Sequence, residues 1–116
     1  MKSFACAFQG LFLMIKTQHN AWIHCLATIM VIFFSLYFKI SLTEWILVIF
    51  VVGFVFAAEL INTAFERLTD LVSPEKQEKA GQVKDLAAGA VLVAAITALI
   101  IGLIIFLPKV YGHFLN

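Results

Sequence analysis

Four polar side chains line one face of a predicted helix at the end of an apolar run that begins at Trp45. They are spaced by three or four residues and form a polar stripe: Glu59, Asn62, Glu66 and Asp70. Ionisable groups at the end of a membrane span usually face a protein interior and mark function. Because carboxylate and amide oxygens are the ligands of hard cations such as Mg²⁺, the stripe predicts a metal-using active site at a membrane surface.

A second polar pair, Lys84 and Asp85, stands directly before another apolar run. A lysine beside an acidic metal site is suited to bind phosphate oxygens. The sequence contains neither a Walker A motif nor the glycine loop of protein kinases. A nucleotide at this site is therefore expected to bind without the usual cradle.

The composition sets the class of protein. Of 116 residues, 63% are hydrophobic and 13% are charged, and the mean hydropathy is +1.03. A soluble domain of this length cannot bury so much apolar surface, which predicts a small integral membrane protein. The net charge of +1 gives no basic surface for nucleic acid, so no nucleic-acid partner is expected.

The apolar runs predict an all-α membrane protein with a single domain over 1–116. Aromatic and aliphatic residues recur at helical spacing near the N-terminus, which favours an amphipathic helix on the membrane surface. Three later runs are long enough to cross the bilayer. The predicted order is a surface helix over 1–20, transmembrane helices over 22–40, 44–66 and 85–107, and a cytoplasmic loop over 67–84. Inside that loop, Ser73 and Pro74 predict the start of a short helix that Gly81 ends.

The basic residues predict the orientation. Two of them, Lys39 and Lys109, fall on one side of the predicted spans, and the others fall on the opposite side: Lys2, Lys16, Arg67, Lys76, Lys79 and Lys84. Since cytoplasmic segments carry the excess of Lys and Arg, the N-terminus and the polar stripe are expected in the cytoplasm. The expected location is the bacterial inner (cytoplasmic) membrane, crossed several times.

Small side chains repeat every four residues along the third span and form a ridge: Ala90, Ala94, Ala98 and Gly102. Such ridges allow helix backbones to approach closely in lipid. Three helices enclose little space, whereas a polar stripe needs protein on several sides. A homo-oligomer is therefore expected.

The signature of the stripe followed by Lys84-Asp85-x-Ala-Ala-Gly-Ala-Val resembles that of prokaryotic diacylglycerol and undecaprenol kinases. The resemblance extends to Ala7-x-x-Gly10, Asn20-x-x-x-His24 and the Ile-Ile-Gly-Leu-Ile-Ile-Phe-Leu-Pro tail. It implies a homotrimeric bundle of three transmembrane helices with an N-terminal surface helix. The reaction implied is transfer of the ATP γ-phosphate, with Mg²⁺, to a membrane lipid alcohol. The Asn20 and His24 pairing favours undecaprenol over diacylglycerol.

The same resemblance implies roles for single residues. Glu59 matches the proposed catalytic base, and Asn62 matches a residue that supports the site. Glu66 matches a Mg²⁺ ligand at the nucleotide, while Asp70 matches a second acidic position. Two further positions match contacts to ATP, near the phosphates and near the adenosine end respectively: Lys84 and Asp85.

One position departs from the family pattern. Gln18 stands where the family usually has a glutamate that helps to hold Mg²⁺. Glutamine keeps an oxygen ligand but loses the charge, so Gln18 is expected to bind the metal more weakly than glutamate or to be dispensable.

The alternative class is transport. Small proton-coupled multidrug exporters have similar length and retain one intramembrane glutamate. They need four spans, whereas three are predicted here. They also have no use for a Lys-Asp pair at the start of the last helix.

Overall fold

The computed structural model describes residues 2–115, which form four helices joined by short connections. Three of these helices are long and apolar enough to cross a membrane. The all-α prediction is therefore confirmed. The helices are α1 (Lys2–Thr17), α2 (His19–Tyr37), α3 (Leu42–Val72) and α4 (Glu78–Leu115).

The charged segment 67–84 differs from the predicted loop, because only residues 73–77 lie outside helices. The predicted short helix from Pro74 to Gly81 is wrong. Ser73 ends α3 as its C-cap, and its hydroxyl donates to the Glu75 carbonyl at 3.1 Å. Pro74 follows the end of α3, as is common after a helix because proline cannot continue it. The Gly81 N–H bonds the Gln77 carbonyl at 3.0 Å, so Gly81 lies in the first turn of α4 instead of ending a helix.

The turn between α2 and α3 is closed by local hydrogen bonds. The N–H of Lys39 bonds the Leu36 carbonyl, and the N–H of Ile40 bonds the Ser35 carbonyl at 3.2 Å, the pattern of a Schellman motif. Lys39 takes the left-handed conformation that this motif requires, with φ 49°. Ser41 then caps α3 through a reciprocal capping box with Glu44.

The principal packing is between α3 and α4. Towards the α2–α3 turn, Ile40, Val48 and Ile105 form one buried cluster. Towards the polar stripe, Val55 and Ala58 of α3 pack on Ala94 of α4. The small-residue ridge of α4 is thus used at least partly inside the chain, where it allows α3 to approach.

Helix α2 packs on α3 but stands away from α4 along most of its length. The two meet near their C-termini, where the Tyr37 hydroxyl lies 3.1 Å from His113 Nε2. Between α2, α3 and α4 runs an apolar groove of about 350 Å³, with His24 in its lining and side chains such as Val48, Val55 and Phe106 along its walls. Large apolar side chains also cover much of the outer surface of all four helices, as a lipid-facing protein requires.

Candidate active site

Helix α3 is continuous from Leu42 to Val72, so it carries the whole polar stripe on a single rod. The stripe shows a gradient of burial towards the end of the helix. Glu59 is 1% exposed and Asn62 is 6% exposed, Glu66 is half-buried, and Asp70 is exposed. The stripe thus leads from a dry interior to the surface within one helix face.

The Glu59 side chain is the most unusual group of the stripe. Both of its carboxylate oxygens are buried and lack a hydrogen-bond partner within residues 2–115. The nearby Thr63 hydroxyl donates to the backbone carbonyl of Glu59 at 2.9 Å and leaves the carboxylate untouched. The nearest cationic candidate is His24 of α2, whose Nε2 lies 3.6 Å from Glu59 Oε2.

Asn62 and Glu66 form a second polar unit one turn further along α3. The Asn62 amide donates from Nδ2 to Glu66 Oε1 at 3.3 Å. The other amide atom, Oδ1, is a buried acceptor that has no hydrogen-bond partner in the part of the chain described. An amide oxygen and a carboxylate, side by side, are the kind of ligands that Mg²⁺ takes from a protein.

By itself, the Asn62–Glu66 unit does not make a metal site. Across the described residues, no three His, Cys, Asp or Glu side chains converge on a point where they could hold a metal ion. Mg²⁺ in kinases usually takes one or two carboxylates and completes its shell with phosphate oxygens and water. The Asn62–Glu66 unit fits that mode of binding.

Gln18 occupies the break between α1 and α2, where it is the N-cap residue of α2 and is half-buried. Its side chain makes no capping hydrogen bond. Directly before it, the Thr17 hydroxyl accepts from Arg67 at 3.4 Å. This contact links the α1–α2 break to the residue that follows Glu66 in α3.

Lys84 and Asp85 lie in the first turns of α4, across the 73–77 connection from the end of α3. The Lys84 ammonium forms an ion pair with the Asp70 carboxylate. Asp85 is exposed. The structure therefore brings Lys84 to the exposed end of the stripe and pairs it with Asp70, a contact that the sequence did not predict.

The contact between His24 and Glu59 is also absent from the predictions above, in which His24 serves only to distinguish the lipid substrates. A signal was available. A carboxylate predicted deep in a span needs a polar neighbour, and His24 is an ionisable side chain at the start of the first span.

Comparisons with known proteins show the family to which the chain belongs. The family of prokaryotic diacylglycerol kinases matches residues 5–106. The chain is 39% identical to an undecaprenol kinase of Bacillus subtilis over 108 residues, which is 93% of this chain and 88% of that one. It is 36% identical to a diacylglycerol kinase of Synechocystis over 107 residues, which is 91% of this chain and 61% of that one.

Together, the membrane-length helices and these relatives define the class: this is a lipid kinase with several membrane spans. More narrowly, the chain belongs to the prokaryotic diacylglycerol kinase family. The comparisons give no support to the alternative of a small multidrug transporter, because both named relatives are kinases.

Proposed function

We propose that this protein uses ATP and Mg²⁺ to phosphorylate the hydroxyl of a membrane lipid, with undecaprenol preferred to diacylglycerol. One observation carries the proposal: the buried carboxylate of Glu59, which has no hydrogen-bond partner among residues 2–115, shares a helix face with the Asn62–Glu66 oxygen unit. The preference for undecaprenol rests on the similarity to the undecaprenol kinase of Bacillus subtilis, which this chain matches over 88% of that protein's length.

In this proposal Glu59 is the catalytic base. Its carboxylate accepts the proton of the lipid hydroxyl while the hydroxyl oxygen bonds to the γ-phosphorus of ATP. The bond from that phosphorus to the bridging oxygen breaks, and ADP leaves with the electron pair. The burial of Glu59 suits a reaction with a lipid alcohol, because water that would compete as acceptor is excluded.

Mg²⁺ would be held by Glu66 and, more weakly, by the amide oxygen of Gln18. The Oδ1 of Asn62, which has no hydrogen-bond partner among residues 2–115, belongs to the amide that contacts Glu66. When bound, the metal would neutralise negative charge on the phosphate oxygens. Asn62 orients Glu66 through the 3.3 Å hydrogen bond and so supports the site.

Lys84 would bind the ATP phosphates, and Asp85 would contact the adenosine end. The ion pair with Asp70 holds the Lys84 ammonium at the end of the stripe before nucleotide arrives. Because both partners are largely exposed, this pair is weak and phosphate oxygens can displace Asp70 from Lys84. In the absence of nucleotide, Asp70 thus occupies the position at Lys84 that the phosphates would take.

We further propose a homotrimer in the bacterial inner membrane, with α1 on the membrane surface and the N-terminus and active site in the cytoplasm. The support is the family membership and the distribution of basic residues. The small-residue ridge of α4 no longer adds to it, because Ala94 packs on α3 of the same chain.

The proposal is tested by transfer of labelled phosphate from ATP to undecaprenol and to diacylglycerol, offered side by side in mixed micelles with Mg²⁺. We expect labelled undecaprenyl phosphate to form first and the reaction to stop when Mg²⁺ is chelated. Preference for diacylglycerol would contradict the substrate assignment and keep the reaction class.

The control is the Glu59→Gln variant in the same micelles, with folding checked by its elution as the same oligomer as the wild type. It should bind ATP and transfer no phosphate above background. Transfer by this variant at the wild-type rate would overturn the site assignment.

A further inference from the structure

The pairing of His24 with Glu59 has a role in the proposed reaction. Glu59 is 1% exposed, and no hydrogen bond to either of its carboxylate oxygens is present within residues 2–115. A buried carboxylate without a donor is strongly unfavourable, so a nearby donor has a large effect on its orientation.

His24 is the side chain placed to act as that donor. Its Nε2 lies 3.6 Å from Glu59 Oε2, a few tenths of an ångström beyond a hydrogen bond. The contact is made between α2 and α3, so the donor comes from a different helix than the rest of the stripe.

The imidazole is itself held in place. Its ring meets that of Phe56 on α3 edge-on, with ring centres 6.3 Å apart. The side chain is 18% exposed, and it lines both the 350 Å³ groove and a smaller groove of about 280 Å³ that also contains Asn20 and Ala88. His24 therefore borders both grooves and also contacts the buried carboxylate of Glu59.

We propose that His24 is the positioning residue of Glu59, donating from Nε2 to Oε2 so that Oε1 faces the hydroxyl of the lipid. This rests on the proposed role of Glu59 as the base. The imidazole does not touch the transferred proton, which passes from the lipid hydroxyl to Oε1. A base that is misplaced by about 1 Å loses on the order of 100-fold in rate, and this sets the size of the effect.

The test compares two substitutions that differ in their ability to donate. His24→Phe keeps an aromatic ring against Phe56 but has no donor, and His24→Gln keeps an N–H donor without the ring. We expect His24→Phe to lower kcat on the order of 100-fold while KM for ATP changes less than about twofold. His24→Gln should recover most of kcat, which a packing role would not predict.

The matched control is His113→Phe, because this histidine contacts Tyr37 at the far end of α4 and lies outside the site. It should keep the wild-type kcat. If His24→Phe and His113→Phe are both fully active while Glu59→Gln is inactive, the positioning role is wrong and the base assignment stands. A fully active Glu59→Gln would instead overturn the proposed function itself.

A second measurement does not depend on whether a His24 variant folds, because it leaves His24 unchanged. Nitrogen-15 labelling of the 3 histidines allows their ring protons and tautomers to be recorded by NMR in micelles. We expect one ring to show a hydrogen-bonded Nε2–H in the wild type and to shift in Glu59→Gln. If none of the three ring signals differs between these two proteins, the proposed hydrogen bond does not exist.

Discussion

Two glutamates on α3, Glu44 near its start and Glu59 in its second half, have opposite environments. Glu44 accepts from the backbone N–H of Ser41 at 3.0 Å through Oε1 and from the Lys109 ammonium at 2.7 Å through Oε2. Glu59 is far more buried, and both of its oxygens lack a hydrogen bond among residues 2–115.

The difference separates a carboxylate that holds the fold from one that is available for chemistry. At Glu44 both oxygens are used, one to cap α3 and the other to fasten α4, so the group contributes to stability and has nothing left to offer a substrate. At Glu59 the carboxylate is buried without a hydrogen bond among residues 2–115, and His24 Nε2 approaches Oε2 at 3.6 Å. This environment is unfavourable for folding, but it leaves lone pairs free for a substrate. Such local inconsistency is expected at a functional site.

The largest expected effect on phosphoryl transfer is that of neutralising Glu59, compared with neutralising Glu44 in a separate variant. Glu59→Gln should lower phosphoryl transfer on the order of a thousandfold, because the amide cannot accept the proton of the lipid hydroxyl. The melting temperature in detergent should change little, since losing the contact with His24 and removing a buried charge have opposite effects on stability. Transfer assays and thermal unfolding of the same preparation measure both quantities.

The matched variant is Glu44→Gln, which keeps a side chain able to complete the capping box. It should retain kcat and lose some thermal stability. If Glu44→Gln lost transfer while keeping its melting temperature, the separation between a structural and a chemical glutamate would be wrong.

The next effect concerns the metal. Glu66→Gln removes the carboxylate of the Asn62–Glu66 unit, so we expect Mg²⁺-supported transfer to fall by at least about 100-fold. Gln18→Glu adds a charge at the α1–α2 break and should lower the Mg²⁺ concentration required for half-maximal activity. Titrations of activity with Mg²⁺ measure this shift, and an unchanged requirement in Gln18→Glu would exclude Gln18 as a ligand.

A smaller effect is expected from the ion pair at the other end of α3. Lys109→Met retains the aliphatic part of the side chain and removes the ammonium that contacts Glu44. We expect the melting temperature to fall by a few degrees, with kcat unchanged, because this pair is only partly buried. Loss of kcat at unchanged stability would show that this end of the bundle influences the reaction.

The smallest effect concerns the turn before Glu44. Lys39 holds the left-handed conformation at φ 49°, which glycine adopts without steric penalty. Lys39→Gly should stabilise the protein by up to about 1 kcal/mol and leave transfer unchanged. Thermal unfolding in detergent checks the sign, and a clear loss of stability would contradict the Schellman assignment of this turn.

The sequence was sufficient for the helices and for the polar stripe, because both depend on local periodicity. The contact of His24 with Glu59 and the pairing of Lys84 with Asp70 depend on how α2 and α4 pack beside α3, which no spacing along the chain reveals. The predicted span ends before α3 does for a related reason. The charge of residues such as Arg67 favours a loop, yet a helix leaving a membrane continues in water until a residue such as Pro74 stops it.

The unbroken course of α3 has a consequence for the substrates. A rigid rod fixes the height at which each group stands, and the rise from Glu59 to Asp70 is about 16 Å. In the proposed reaction the nucleotide phosphates bind near Asp70, where Lys84 lies, and the lipid hydroxyl has to reach the level of Glu59. We therefore expect an acceptor lipid to be selected by the depth in the membrane at which it presents its hydroxyl.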